Sequence, residues 1–272
     1  MKSRMLQFLD VATEAALTGG AILQSYAGQV EAQEKGRPGD LVTAADKAAE
    51  VAIVEVIRRH FPDHGILAEE SGQVGAAQSE FLWAIDPLDG TTNYAHQYPF
   101  YAVSIGLLMD GIPQVGVVFA PFLQELFRAA KGMGATLNRQ PIQVSRTAEL
   151  QQSLLVTGFA YDRHETADNN YAEFCTLTHL TQGVRRGGSA ALDLCYVACG
   201  RLDGYWERGL SQWDIAAGVV IVEEAGGWVT AYDQSPFVIE SGRILATNAR
   251  IHAALSQTLL QVKPLPANYL LS

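Results

Sequence analysis

The chain is organised around one stretch, Phe81-Leu82-Trp83-Ala84-Ile85-Asp86-Pro87-Leu88-Asp89-Gly90-Thr91-Thr92-Asn93. Its apolar first part predicts a buried strand, which should stop at Asp86 because Pro87 cannot donate to a sheet ladder. Asp86 and Asp89 then lie three residues apart at the carboxyl end of that strand. Gly90 lets backbone N–H groups approach a ligand closely, and a helix starting here would attract an anion. One turn thus offers carboxylates for a cation beside amides for an anion, as a metal-bridged phosphate requires.

Two other interpretations of this turn need no phosphate. Turns and helix caps use Asp and Gly routinely, so an isolated Asp-Gly pair would need no functional explanation. An EF-hand loop is excluded by spacing, because Leu88 occupies a position that needs an oxygen ligand and no Glu stands six residues after Gly90. The phosphate interpretation therefore depends on partners elsewhere in the chain.

Composition restricts the class of protein. The chain has 272 residues, of which 48% are hydrophobic and 18% charged, as in an ordinary globular protein. Its net charge of -10 argues against a nucleic-acid partner, which would favour a basic face. An anionic substrate stays possible, since bound cations can make the local charge of a site positive.

No membrane or secretory segment is expected. Asp10 and Glu14 interrupt the apolar run that a signal peptide would need, and no stretch reaches the roughly 18 apolar residues of a membrane span. The three cysteines are Cys175, Cys195 and Cys199, an odd number without a CxxC pair. They predict reduced thiols in a cytoplasmic protein.

Hydrophobic periodicity predicts a mixed α and β chain. The predicted helices are Met5–Tyr26, Ala44 or Ala45 to His60, Thr166–Thr181, Ile215–Ala225 and Ala249 to about Val262. One predicted strand, Ile66–Ala68, precedes the central one. Those that follow it are Tyr101–Met109, Val115–Ala120, Glu125–Ala130, Leu154–Thr157, Leu202–Glu207, Trp228–Ala231 and Ile244–Thr247. We expect the first three of these to be antiparallel. Gln33–Asp40 is expected to be a polar loop. We expect an N-terminal α+β half (1–145) with the metal-binding motifs and a C-terminal α/β half (146–272), packed as one compact unit.

Five blocks of sequence together resemble the inositol monophosphatase family, within the wider class of metal-dependent, lithium-sensitive phosphatases. The blocks are Asp40-Leu41-Val42-Thr43 with Asp46, Glu69-Glu70-Ser71, the central stretch, Gly188-Ser189-Ala190-Ala191, and Trp213-Asp214 with Glu223-Glu224-Ala225-Gly226-Gly227. They stand in the family's order at comparable spacing. The resemblance implies a layered αβαβα sandwich of the inositol monophosphatase and fructose-1,6-bisphosphatase type, and a homodimer.

The resemblance also implies a metal centre. Its ligands for two or three Mg²⁺ would be Glu69, Asp86, the Leu88 carbonyl, Asp89 and Asp214. Electrostatics supports this set if the acids converge, because two carboxylates about 4 Å apart repel by roughly 4 kcal/mol at an effective dielectric of 20. Such a cluster protonates or recruits cations, and oxygen ligands select Mg²⁺ or a close relative.

Further roles follow from the resemblance alone. The Gly90 and Thr91 amides would hold phosphate, and Lys35 would lie on a mobile loop near a third metal. Asp46 and Thr91 would orient the attacking water together with Glu69. The alternatives are a surface lysine at 35, ordinary helix caps at 46, 91 and 214, a solvated loop acid at 69 and a solvated strand-end acid at 207. The positions matching those that contact the substrate alcohol are Gly188, Ser189, Ala190, Glu207 and Asp214.

The predicted activity is Mg²⁺-dependent hydrolysis of inositol monophosphate to myo-inositol and phosphate. Related substrates stay open at this point: histidinol phosphate, fructose 1,6-bisphosphate or a 3′-phosphonucleotide. A hypothesis of another class is a non-catalytic binding protein on the same scaffold. That role would need a basic or apolar exposed patch, and the sequence has no clear one.

Overall fold

The protein is described here by a computed structural model that covers residues 2–29, 32–35, 41–74 and 79–265. The helices within these ranges are α1 (Lys2–Tyr26), α2 (Ala44–His60), α3 (Thr91–Ala95), α4 (Tyr171–Leu180), α5 (Ala190–Ala198), α6 (Gln212–Glu224) and α7 (His252–Gln261). The strands of the first half are β1 (Gln33–Glu34), β2 (Leu41–Val42), β3 (Gly65–Ala68), β4 (Gly72–Val74), β5 (Phe81–Asp89), β6 (Ala102–Met109), β7 (Ile112–Ala120), β8 (Glu125–Ala130), β9 (Ala135–Leu137) and β10 (Gln140–Pro141). Those of the second half are β11 (Leu154–Thr157), β12 (Gly183–Arg185), β13 (Gly204–Glu207), β14 (Trp228–Thr230) and β15 (Ile244–Thr247).

The larger sheet has eight strands in the order β10-β9-β8-β7-β6-β5-β3-β4. Strands β5 to β8 pair antiparallel with one another, and the sequence predicted this for β6 to β8. Strand β3 lies parallel to β5. Helices α1 and α2 cover one face, where Phe8, Ile53 and Trp83 belong to one fully buried cluster. The apolar stripes of these two helices therefore form the first interior layer.

The smaller sheet has five strands in the order β12-β11-β13-β15-β14. Strands β11, β12 and β13 run parallel, and β15 runs antiparallel to β13. Helices α5 and α6 lie between the two sheets, and α7 packs on the outer face of the smaller one. Residues 215–222 of α6 are all buried, which fits a helix enclosed on every side. The predicted αβαβα layering is confirmed.

The prediction that the central strand ends at Asp86 was wrong, because β5 continues to Asp89. Asp86 pairs with Ser104 and Asp89 with Ala102, so the β5 segment between them holds one residue more than β6 does. Such a bulge accommodates Pro87, whose missing N–H would break a regular ladder. The bulge turns both aspartates toward one end of the sheet.

The helix predicted from Thr166 begins only at Tyr171. Asn170 stands before it in the left-handed region at φ 70°. Its amide donates to Thr157 Oγ1 at 2.7 Å and its oxygen accepts from Trp206 Nε1 at 2.6 Å. These contacts with the smaller sheet hold the preceding residues out of the helix.

Other helix and strand boundaries also differ from those predicted. Helix α7 begins at His252 instead of residue 249, because the Asn248 side chain binds the N–H groups of Arg250 and Ile251 in a preceding turn. Helix α6 begins three residues before the predicted start, and β13 begins at Gly204 instead of residue 202. Within the predicted polar loop Gln33–Asp40, β1 pairs with β2, while residues 36–40, including Asp40 of the first block, lie outside the described residues.

The larger sheet and the smaller sheet use separate parts of the chain, ending at Pro141 and beginning at Leu154 respectively. A division into two halves at residue 145 stays a prediction. In the described ranges, none of the helices has the length and apolar character needed to cross a membrane.

Candidate active site

One cavity of about 420 Å³ brings together almost all the residues that the sequence singled out. It lies where the bulge of β5 meets the first turns of α3, α5 and α6. The predicted residues among those lining it are Lys35, Glu69, Asp86, Leu88, Asp89, Gly90, Thr91, Gly188, Ser189, Ala190, Glu207 and Asp214. Asp46 is fully buried and lies behind the cavity wall, bound to Thr91.

The central aspartates are held by hydrogen bonds from both halves of the chain. Asp86 Oδ1 accepts from the Leu88 N–H at 2.9 Å. Asp89 Oδ2 accepts from Ser189 Oγ at 2.7 Å and from the Ala191 N–H at 2.6 Å, at the start of α5. The two contacts of Asp89 join residues about a hundred positions apart in the sequence and hold α5 against the bulge.

Asp214 is the third residue of α6 rather than a simple N-cap. Its Oδ2 accepts from the Ser211 N–H at 2.6 Å, which closes a capping box. The helix start therefore fixes the position of this carboxylate while leaving it on the cavity wall.

These acids repel one another. Burial raises the pKa of Asp86 well above its usual value, and the charges of Glu69, Asp89 and Asp214 add to the shift. Burial also raises the pKa of Asp89 to about 6, against the hydrogen bonds from Ser189 and α5. The pKa of Asp214 is raised well above its usual value by burial and then by Asp89 and Glu69. A positive charge placed among them would relieve this repulsion.

Lys35 supplies one positive charge to the site. Its Nζ lies 2.8 Å from Glu69 Oε1 and also pairs with Glu70. Burial lowers the pKa of Lys35, but the two carboxylates outweigh burial and raise it overall. The lysine therefore contacts a predicted metal ligand directly, and is not a plain surface residue.

Sequence reasoning missed Glu50. Its carboxylate accepts from the Glu70 N–H at 2.8 Å and the Ser71 N–H at 2.9 Å, and so holds the segment that carries Glu69. Glu50 follows Asp46 by four residues, which places both acids on one face of α2. That spacing was the available signal.

The donor set fits a hard divalent cation. All the acids on the wall offer oxygen atoms, which are the ligands that Mg²⁺ prefers. In the part of the chain that the structure describes, no three His, Cys, Asp or Glu side chains stand in the arrangement of a closed metal site. The carboxylates instead accept hydrogen bonds from Lys35, from the Ser189 hydroxyl and from nearby N–H groups.

Asp46 combines two contacts that the sequence treated as alternatives. Its Oδ2 closes the capping box of α2, accepting from Thr43 N at 2.9 Å and Thr43 Oγ1 at 2.6 Å. Its Oδ1 accepts from Thr91 Oγ1 at 3.1 Å. Burial is the main reason why the pKa of Asp46 is raised. The suggestion that Thr91 itself caps α3 was wrong, because Gly90 is the N-cap, with φ 100°.

Glu207 is the last residue of β13 and lines the same cavity. It is buried, and its Oε2 accepts from Tyr205 Oη at 2.6 Å. A side chain at Gly158 would collide with the Glu207 carboxylate, so that glycine makes room for the acid. Burial raises the pKa of Glu207 to about 7, although Tyr205 and Arg186 oppose the shift. It is therefore not the solvated strand-end acid of the simpler interpretation.

Glu207→Gln should flatten the pH dependence of thermal stability. The folded carboxyl has a pKa of about 7 against 4.5 ordinarily, so it destabilises the fold increasingly as pH rises through this window. The variant should match the wild type near pH 4 and exceed it above pH 7, by at most about 3 kcal/mol. Calorimetry of both chelated proteins across this range measures the difference. Parallel curves would contradict the expectation.

The model of the inositol monophosphatase family matches residues 4–263. The inositol-1-monophosphatase of Synechocystis is 67% identical over 258 residues, covering 94% of this chain and 90% of that protein. The Nus factor SuhB of Haemophilus influenzae is 40% identical over 262 residues, covering 96% and 97%. The solved structure of inositol monophosphatase from Anabaena superposes with a TM-score of 0.90 at 66% identity, covering 96% of this chain and 98% of that one.

Proposed function

Because the chain belongs to the inositol monophosphatase family, we propose that it hydrolyses inositol monophosphate to myo-inositol and phosphate. One observation carries the proposal: the buried acids Asp86, Asp89 and Asp214 line the same 420 Å³ cavity as the start of α3. An acidic wall suits cations and hydroxyl groups, while unpaired amides at a helix start suit phosphate.

The cofactor in this proposal is Mg²⁺, in two or three ions. The groups that would hold it are the carboxylates of Glu69, Asp86, Asp89 and Asp214 and the carbonyl of Leu88. When bound, Mg²⁺ would neutralise phosphate charge and acidify a water molecule. The observation that supports this assignment is the mutual repulsion of these acids, which a divalent ion relieves.

The chain's own groups would perform the remaining steps. The Gly90 and Thr91 amides would bind phosphate oxygens, because N–H groups at a helix start lack intrahelical partners. Thr91 Oγ1 would accept a hydrogen bond from the attacking water. As Thr91 takes up the water proton, it would give its own hydroxyl proton to the buried Asp46 carboxylate. Glu69 would contact the same water, and Lys35 would adjust the charge beside it.

The leaving alcohol would lie against the wall formed by α5 and β13. Gly188, Ser189, Ala190, Glu207 and Asp214 would contact it, and all of them line the cavity. Glu207 keeps a carboxyl in this wall that can accept from a ring hydroxyl. The alcohol's hydroxyl groups would then orient the ester for in-line attack.

Phosphate release from a panel of monoesters tests the proposal. With Mg²⁺ we expect the highest kcat/KM on inositol monophosphate. The kcat/KM values on histidinol phosphate, fructose 1,6-bisphosphate and a 3′-phosphonucleotide should be much lower. EDTA should abolish turnover and added Mg²⁺ restore it. A higher kcat/KM on another ester would reassign the substrate, and full turnover in EDTA would reject the metal assignment.

A homodimer and a cytoplasmic location are further parts of the proposal. The family supports the dimer, and large apolar side chains exposed on the monomer, such as Leu6, Phe122 and Trp228, are available for association. Three free cysteines support a reducing compartment. Sedimentation equilibrium measures the oligomeric state, and a monomer at micromolar concentration would reject the homodimer.

A further inference from the structure

Asp193 is a buried acid in the cavity that the proposed reaction does not use. It lies in the first turn of α5, its exposed fraction is 2%, and it lines the same cavity as Glu207. Its Oδ1 has no hydrogen-bond partner within the described residues. Buried polar atoms in folded proteins almost always have a partner, so this atom needs an explanation.

A glycine next to Asp193 leaves space for its carboxyl group. A side chain at Gly187 would collide with Asp193 Oδ1 and with the ring of Phe100. Only glycine at that position lets the loop before α5 close over the carboxyl. The loop is therefore shaped around Asp193, whose Oδ1 has no partner among the residues that the structure describes.

The charges around Asp193 do not stabilise it either. Burial raises its pKa well above the usual value, and the nearby charges of Glu207 and Asp89 raise it further. Arg186 is the cation that opposes the shift, but it forms no ion pair with Asp193 in the described structure. A residue kept only for stability would have been given a partner or replaced by an apolar side chain.

A ligand can supply the hydrogen-bond donor that Asp193 lacks. The negative charge of the surrounding acids determines which group of the ligand can lie there. Phosphate oxygens are negative acceptors, so the acidic wall formed by Asp193, Glu207 and Asp89 repels them. Hydroxyl groups donate hydrogen bonds and carry no charge, so they suit an unpartnered carboxyl. A polyol presents several hydroxyl groups on adjacent carbons and can reach Asp193 and Glu207 together.

We propose that Asp193 is a specificity-determining residue that accepts a hydrogen bond from a hydroxyl group of the polyol leaving group. This inference rests on the proposed function and adds a second acid to the wall that recognises the alcohol. It distinguishes the two acids by their surroundings. Glu207 already accepts a hydrogen bond from Tyr205 at 2.6 Å, whereas Asp193 Oδ1 has no such partner within the described part of the chain.

The experiment compares Asp193→Ala and Asp193→Asn with the wild type on two esters. Inositol monophosphate carries hydroxyl groups on its leaving alcohol, whereas 4-nitrophenyl phosphate carries none. Loss of a hydrogen bond to a charged group should lower kcat/KM on inositol monophosphate by roughly 10- to 100-fold in the alanine variant. Asparagine keeps one acceptor oxygen, so its loss should be smaller, and both variants should stay within about threefold of wild type on the aryl ester.

Melting temperature and a control variant separate recognition from folding. Since Asp193 Oδ1 has no partner among the described residues, the isosteric Asp193→Asn change should leave the melting temperature unchanged or raise it. Glu173→Gln removes a half-buried acid of α4 that does not line the cavity, and it should leave the ratio of the two rates unchanged. If the alanine variant fails to fold, the asparagine ratio decides.

An active wild type whose variants lose equal factors on both esters, or lose nothing, overturns the role of Asp193 and leaves the proposed function intact. A lower melting temperature of Asp193→Asn indicates a structural role and also overturns it. A wild type that turns over 4-nitrophenyl phosphate but not inositol monophosphate overturns the proposed function and this inference together.

Discussion

Asp86→Asn and Asp214→Asn should each lower kcat with inositol monophosphate by about a thousandfold or more. Asparagine keeps the shape of the side chain but removes the negative charge that would hold Mg²⁺. A thousandfold loss corresponds to about 4 kcal/mol of transition-state stabilisation, which is within what a metal ion supplies. Steady-state rates at saturating substrate, measured across a Mg²⁺ titration, give the loss and show whether more Mg²⁺ restores activity.

Stability distinguishes a lost ligand from a damaged fold. The buried acids repel one another, so removing one should not lower the melting temperature of the chelated protein. The rise in melting temperature that Mg²⁺ produces should shrink in both variants, because they bind the ion less tightly. Glu223→Gln is the matched control, since Glu223 lies on α6 like Asp214 but pairs with Lys131 at the surface. Near-wild-type kcat in Asp86→Asn or Asp214→Asn would reject the assignment of these ligands.

Thr91→Ala and Asp46→Asn should each reduce kcat by a similar large factor, of roughly a hundredfold or more. The contact of Thr91 Oγ1 with Asp46 Oδ1 at 3.1 Å makes them candidates for one functional unit. Thr91 Oγ1 also lies 3.0 Å from the Leu88 carbonyl, and its single proton can go to only one of the two acceptors. If the Leu88 carbonyl binds a cation, the proton goes to Asp46 and the oxygen lone pair is free for water.

The double variant carries the test of this pair. Residues that act as one unit are strongly non-additive, so Thr91→Ala with Asp46→Asn should lose scarcely more than either single change. Additive losses, or near-wild-type kcat in either single variant, would reject the unit. Rates and melting temperatures of all the variants are measured together.

A control is needed because Asp46 also closes the capping box of α2. Thr43→Val removes the hydroxyl that binds Asp46 Oδ2 but leaves the contact with Thr91 untouched. It should destabilise the protein by about 1 kcal/mol, as loss of a helix cap does, and leave kcat nearly unchanged. A comparable fall in kcat for Thr43→Val would mean that capping alone explains the Asp46 variant.

The sequence by itself determined which residues are candidates for the site, because these residues stand in short local patterns. Asp86 and Asp89 follow an apolar run, Asp214 precedes the apolar part of a helix, and Glu69 follows another apolar run. Periodicity also predicted α1, α2 and the antiparallel strands β6 to β8, since amphipathic patterns depend on neighbouring residues alone. Local pattern was sufficient wherever the determining contacts lie within one element.

Only the tertiary structure decided the features that depend on contacts across the chain. Pro87 lies inside a strand because β6 pairs on either side of it, and Asn170 breaks a helix because Thr157 and Trp206 bind its side chain. Glu50 and Asp193 were missed for the same reason. A buried acid is recognisable as unusual only when its surroundings are known, since the cost of burial depends on solvent exclusion and on partners that sequence order does not specify.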